Sequence, residues 1–210
     1  MLVHETFSSI QGEGIWLGMP SFFIRVSGCN LKCQWCDSKQ ARATANGHRC
    51  TLDHLVNLAV TSPAPHVVIT GGEPALYPDD VAALCRKLRR QGKTVTVETN
   101  ATVAMDCQPH LMSLSPKLDA WNSKVLKAFC GRKGLTQIKI VVNTPAEGIQ
   151  ALQRIKDLDL PNDLVFFMPR ARTRIEHEKN ASWLVPFCIQ HGIRFAVRAQ
   201  TIMWDNERGR

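Results

Sequence analysis

The chain has 210 residues, enough for one substantial core, and its 44% hydrophobic and 21% charged content excludes a disordered polymer. No apolar run is long enough to span a bilayer, and the opening Met1-Leu-Val-His-Glu-Thr6 lacks the basic and apolar regions of a secretory leader, so a cytoplasmic protein is expected. The 26 basic residues outnumber the 18 acidic ones, and the resulting +8 suits anionic partners, although an ordinary basic surface explains it equally well.

In chain order, Phe22–Val26 reads as a strand. A helix then starts near Thr51 and carries Leu52, Leu55, Val56 and Ala59 on one face. A strand follows at His66–Thr70, then a helix from Pro78 that stops at Gly92, with proline inside its start and glycine past its end. Strands are expected at Thr94–Glu98 and Leu111–Ser115, a helix over Lys117–Phe129, and a strand at Thr136–Val142. Thr144-Pro-Ala-Glu147 is a capping box that opens another helix. A strand at Leu164–Met168, a helix over Ala181–Gln190 that must accommodate Pro186, and a strand at Ile193–Val197 complete the pattern.

Strand–helix alternation predicts parallel strands with helical crossovers, and seven strands in this length fall short of a closed eight-fold barrel. The expected fold is a single-domain partial α/β barrel over 1–210. Its ligand site should lie at the carboxyl ends of the strands. Four suspicious segments follow strands there: the cysteine loop at 27–38, Gly71-Gly-Glu-Pro74, Glu98-Thr-Asn100 and Ser115-Pro-Lys117.

Three of the eight cysteines, Cys29, Cys33 and Cys36, fall within eight residues. A disulfide framework is not expected in a reducing compartment, so this cluster reads as metal-binding. Zinc would want a fourth ligand and a second knuckle, whereas three thiolates suit a [4Fe–4S] cluster with one open iron. Cys50, Cys85, Cys107, Cys130 and Cys188 read as buried small hydrophobes, and the seven histidines show no ligand spacing.

Cys29-x3-Cys33-x2-Cys36 with Trp35 before its last cysteine resembles the radical S-adenosylmethionine superfamily, and Gly71-Gly-Glu-Pro74 is similar to that superfamily's glycine-rich segment. Such a resemblance implies a radical SAM core whose open iron chelates S-adenosylmethionine, which electron transfer cleaves to a 5′-deoxyadenosyl radical. A closer resemblance, covering most of the chain, is to the 7-carboxy-7-deazaguanine synthase family. It rests on Phe7-Ser-Ser-Ile-Gln-Gly-Glu-Gly14, Gly18-Met-Pro-Ser-Phe-Phe-Ile-Arg25, Gly28 to Asp37, Thr70 to Pro74, Glu98-Thr-Asn100 and Ser115-Pro-Lys117.

The family resemblance implies conversion of 6-carboxy-5,6,7,8-tetrahydropterin to 7-carboxy-7-deazaguanine with loss of ammonia, a carbon–nitrogen lyase reaction assisted by Mg2+. Carried over, Cys29, Cys33 and Cys36 would hold the cluster and Ser38 the Mg2+. Trp35, Cys36, Asp37, Gly71, Gly72, Glu98, Asn100, Ser115, Pro116 and Lys117 would hold S-adenosylmethionine. Ile10, Gln11, Gly12, Glu13, Arg25, Thr70 and the terminal Arg210 would face the pterin, with Glu13 binding it or moving a proton. It further implies a homodimer and an electron donor such as a flavodoxin, with no nucleic-acid or membrane partner.

Each residue has a plainer reading. Arg25 could pair with an acid, Glu13 could be a turn residue, Ser38 a helix cap, Glu98 a strand-end charge and Trp35 core packing. Asp37 could orient the loop or pair with a cation. The chain also departs from the family. The tail Arg198-Ala-Gln-Thr-Ile-Met-Trp204 lacks the family's histidine, leaving Gln200 as a substitute, and Met168-Pro169 stands where a Gln-Pro pair is common. Two alternatives stay open: a glycyl-radical activating enzyme, and a zinc-stabilised nucleic-acid-binding module.

Overall fold

A computed structural model describes residues 1–131, 134–160, 162–205, 207 and 209. Its frame is one nine-stranded sheet, ordered β3-β1-β2-β4-β5-β6-β7-β8-β9. The strands are β1 Leu2–Ile10, β2 Pro20–Val26, β3 His48–Arg49, β4 His66–Gly71, β5 Thr94–Thr99, β6 Leu111–Leu114, β7 Leu135–Val142, β8 Val165–Pro169 and β9 Arg194–Phe195. From β2 to β9 every pairing is parallel, and β1 runs antiparallel to both β2 and β3. The sheet curls without closing, as a partial α/β barrel does.

Alternation along the strands decides what each face does. Ile24, Val67, Ile69, Val95, Val97, Leu114, Ile138, Ile140 and Phe167 belong to one continuous buried core beneath the helices. Those helices are α1 Leu52–Thr61, α2 Pro78–Arg90, α3 Ser123–Cys130, α4 Pro145–Asp157, α5 Arg174–His191 and α6 Ala199–Trp204. Opposite faces of the same strands carry Arg25, Thr70, Thr96, Glu98, Ser113, Gln137 and Lys139. The lumen is therefore polar because the sequence alternates, while the outer face is apolar because helices cover it. No helix among the described residues is long and apolar enough to cross a membrane.

Several elements differ from expectation. β1 and β3 were not anticipated. β9 is only Arg194–Phe195, and Ser115 lies just past β6. The helix expected over Lys117–Phe129 splits into a 3-10 turn at Leu118–Ala120 and α3, which starts at Ser123 under the Asn122 cap. α5 begins at Arg174, well before the expected Ala181, because Thr173 caps it by accepting from Glu176 N. Pro186 lies inside α5 on an exposed position and does not end it.

β1 matters for the site. Because Ile10 pairs with Pro20 at the amino end of β2, the segment after β1 starts at the barrel's bottom. It crosses the lumen as the 3-10 turn Gly14–Trp16, with Ile15 N donating to Gln137 Oε1 at 2.9 Å. Gln11, Gly12 and Glu13 thus form the floor of the barrel, apart from the four segments expected at the carboxyl rim.

Candidate active site

One cavity of about 370 Å³ fills the mouth of the barrel. Nearly every anticipated site residue lines it, from Ile10 through Lys117, with two exceptions. Pro116 is buried and does not line it, and Arg210 lies outside the described residues.

On one wall sits the cysteine loop. Cys29, Cys33 and Cys36 are free thiols, each partly exposed to the cavity. Burial pushes the Cys29 and Cys36 thiols up, so a soft metal group is what would convert them to thiolates. Among the described residues no three His, Cys, Asp or Glu side chains gather tightly enough to hold a single ion. Three separated thiols on one short loop are instead a donor set that fits an iron–sulfur cluster. The loop is held from outside: Gly28 N donates to Ala41 O, Cys29 N to Arg42 O, and Asn100 Nδ2 to Asn30 Oδ1. Asn100 therefore braces the loop, with its backbone N also donating to Glu73 Oε2 at 2.7 Å.

The glycine pair has a structural cause that sequence reasoning missed. A Cβ on Gly71, whose φ is +137°, would lie 2.3 Å from Val26 N, and one on Gly72 would lie 2.0 Å from Gly28 O. The glycines let β4 and its following turn press against the backbone that leads into the cysteine loop. Next to them, Glu73 is fully buried and accepts from Ala75 N, Thr99 Oγ1 and Asn100 N, tying the turns after β4 and β5 together. Lys117 donates to Ser115 O and Oγ and stands 5.5 Å from the Trp35 ring centroid, closing the top of this wall.

Across the cavity the charges are paired. Arg25 Nε donates to Glu5 Oε1 at 2.8 Å, so the plainer reading of an acid partner holds for one edge of its guanidinium. Its Nη1 donates to Ser38 Oγ at 3.2 Å. Ser38 occupies the cap position of a short 3-10 turn, yet its hydroxyl makes no capping bond and donates instead to Asp37 Oδ1.

Glu13 is the hub of the floor. Its Oε1 accepts from Arg198 Nε at 3.1 Å and Gln200 Nε2 at 2.8 Å, and its Oε2 from Lys139 Nζ at 2.8 Å. Burial alone would raise its pKa, but the Lys139 ammonium and the Arg198 guanidinium outweigh that and hold it well below the usual carboxylate range. Three donors and a depressed pKa leave Glu13 a fixed acceptor, not a turn residue. Glu98, expected on the cofactor side, lies with this set: it accepts from Thr70 Oγ1, Gln11 Nε2 and Lys139 Nζ.

Arg198 and Lys139 were not anticipated. Arg198 spans the mouth, reaching Glu13, Ala171 O and Asp37 in the cysteine loop, so Asp37 both pairs with a cation and orients Ser38. Gln200 does stand at the site beside Glu13, and its Oε1 is a buried acceptor with no partner among the described residues. That approach is possible because Gly12 has no side chain; a Cβ there would fall 1.9 Å from Gln200 Oε1.

Comparison with known proteins follows the same lines. Residues 23–170 match the Radical SAM superfamily. The chain is similar along its full length to 7-carboxy-7-deazaguanine synthase of Rhodopirellula baltica, at 34% identity over 88% of that protein. It is 32% identical to 7-carboxy-7-deazaguanine synthase of Pyrobaculum aerophilum, covering 99% of this chain and 96% of that one. In fold it resembles QueE from Escherichia coli, with a TM-score of 0.77 over 94% of this chain and 93% of that one at 24% identity.

Proposed function

This chain belongs to the radical S-adenosylmethionine superfamily and, within it, to the 7-carboxy-7-deazaguanine synthases, and from that premise we propose its substrate and the roles of its residues. It is an enzyme of deazapurine biosynthesis. Its substrate is 6-carboxy-5,6,7,8-tetrahydropterin, which it contracts to 7-carboxy-7-deazaguanine with loss of ammonia. A single core over 1–210, with its cluster loop at 27–38, carries the chemistry. The observation that carries this reading is one cavity with three free thiols on one wall and a fixed array of carboxylates and cations on the other. Neither a zinc module nor a glycyl-radical activating enzyme accounts for identity to the synthases over the whole chain.

Cys29, Cys33 and Cys36 would hold a [4Fe–4S] cluster, and Gly72, Asn100, Ser115 and Lys117 at the strand ends would hold S-adenosylmethionine. When bound, cluster and S-adenosylmethionine together supply hydrogen-atom abstraction. Trp35 and Lys117 stack to form an aromatic–cationic cover for the cofactor side of the cavity. Arg25 Nη1 and Ser38 Oγ, 3.2 Å apart, form a joint seat for the substrate carboxylate, where the guanidinium would donate and the hydroxyl would hold Mg2+. Glu13 and Glu98 accept from the N–H edge of the aminopyrimidinone ring. Gln200 Oε1 takes a further ring N–H, which would satisfy its lone buried acceptor. Arg198 holds the tail over the occupied cavity and excludes water from it. A homodimer in the cytoplasm, reduced by a flavodoxin-like donor, is the working form.

The test is anaerobic. Reconstituted protein receives a reductant, S-adenosylmethionine, Mg2+ and 6-carboxytetrahydropterin, and mass spectrometry looks for 7-carboxy-7-deazaguanine. Product is expected, and is expected to vanish with Cys33→Ala. Formation of 5′-deoxyadenosine without that product would overturn the substrate and keep the superfamily.

A further inference from the structure

β7 places a lysine in the lumen, outside every motif that the sequence singles out. Lys139 is 2% exposed, and its Nζ donates to Glu13 Oε2 at 2.8 Å and to Glu98 Oε1 at 3.0 Å. Two carboxylates that share one site repel each other, and without a cation between them the pKa of one is pushed up. The other charged or titratable groups around this pair come from four further segments, one of them β4, whose His66 ring feels Glu98 but is kept neutral by burial. Arg198, ahead of α6, is committed to Glu13 and Asp37. Lys117, after β6, is committed to Ser115, and Asp37 in the cysteine loop is itself an anion. The other side chains that donate to Glu98 among the described residues are the neutral Thr70 hydroxyl and Gln11 amide. Lys139 is thus the one cation that Glu98 has among the described residues, and it is shared with Glu13.

We infer that Lys139 is a positioning residue that keeps Glu13 and Glu98 ionised together, so that both present acceptor oxygens to the substrate. This rests on the pterin reading above, because only a ligand rich in N–H donors needs two acceptors side by side. Without the ammonium, one carboxyl becomes an O–H donor facing an N–H donor, and binding weakens. Raising the pH removes that proton and restores the acceptor. Binding should therefore acquire a pH dependence that the unaltered protein lacks, while the chemistry on bound substrate changes little.

The test compares the unaltered reconstituted enzyme with Lys139→Gln and Lys139→Arg from about pH 6 to 9, where a freed carboxyl of such a pair titrates. For Lys139→Gln, KM is expected to rise by roughly tenfold or more at the acid end and to fall back as pH rises, with kcat moving less. Lys139→Arg should restore the flat profile. Infrared difference spectra of holoenzyme carrying 13C-labelled glutamate should show a carboxylic-acid band only in Lys139→Gln, and that band should be lost again with Glu98→Gln added. A KM raised equally at every pH, with no acid band, would mean that Lys139 merely packs and would overturn the inference. Should the unaltered enzyme make no deazaguanine, the substrate reading fails, while the infrared band still decides whether Lys139 holds the pair ionised.

Discussion

Glycine 72 separates two accounts of the same motif. If Gly71-Gly72 exist to admit a ligand, an added methyl should harm only the loaded protein. The contacts say otherwise, since the Cβ of an alanine at 72 would lie 2.0 Å from Gly28 O, a backbone atom that cannot swing aside. Gly72→Ala is expected to destabilise even cluster-free protein by about 2–3 kcal/mol, the cost of overpacking a rigid contact. Denaturant unfolding of the apoprotein checks this, and unchanged apoprotein stability would return the glycines to a purely ligand-facing role. Glu13 follows the same logic. Its three donors make it an acceptor, so Glu13→Gln should raise KM without adding or removing a limb in the pH profile of kcat. Loss of a basic limb would instead make Glu13 a proton carrier.

Elements were legible wherever local signals agreed. Thr51 and Thr144 were read as helix starts, and both side chains accept from the backbone N three residues on. The same signal at Thr173-Arg-Ile-Glu176 starts α5, seven residues ahead of the expected Ala181–Gln190 helix, which already includes Pro186. The helix persists because its buried face, Leu184 and Cys188, packs on the core, and because Pro186 points outward. Tertiary packing there overrides a proline cost of about 3 kcal/mol. Pro186→Ala should accordingly stabilise the protein by about 1–2 kcal/mol, since it restores an i→i−4 bond while giving back some unfolded-chain entropy. Equal or lower stability in urea unfolding would show that the helix needs the proline's bend. β1 was missed for another reason: Leu2–Ile10 is half-buried and polar on both faces, so its alternation is weak. Lys139 did have a signal. Gln137-Ile-Lys-Ile-Val-Val142 alternates, and in a parallel sheet whose outer face is covered by helices, the polar face has to line the lumen. Arg198 had none, because its partners Glu13 and Asp37 lie at the other end of the chain.

Across the whole molecule, the barrel divides into a catalytic mouth and a stabilising base, and the two answer pH differently. At the base, His66 on β4 is fully buried. It joins three strands, with Nδ1 2.7 Å from Ser21 Oγ on β2 and Nε2 2.8 Å from Thr96 Oγ1 on β5. Burial drives its pKa down from 6.5 to about 4. Folded protein therefore keeps this ring neutral where the unfolded chain protonates it. Its contribution to stability is complete above the unfolded value and is lost as pH falls from 6.5 toward 4. That shift is worth about 3 kcal/mol by linkage. Glu13, whose pKa is held low, contributes above the ordinary carboxylate value of 4.5 and loses its share only below it, so the two groups act in successive windows. Unfolding free energies measured between pH 7 and 4.5 should fall more steeply for the unaltered protein than for His66→Asn, which cannot take up the proton. The variant will be less stable at pH 7, since it cannot span both hydroxyls, so the difference in slope is the informative quantity. Parallel slopes would mean that His66 titrates in the fold as it does in the unfolded chain.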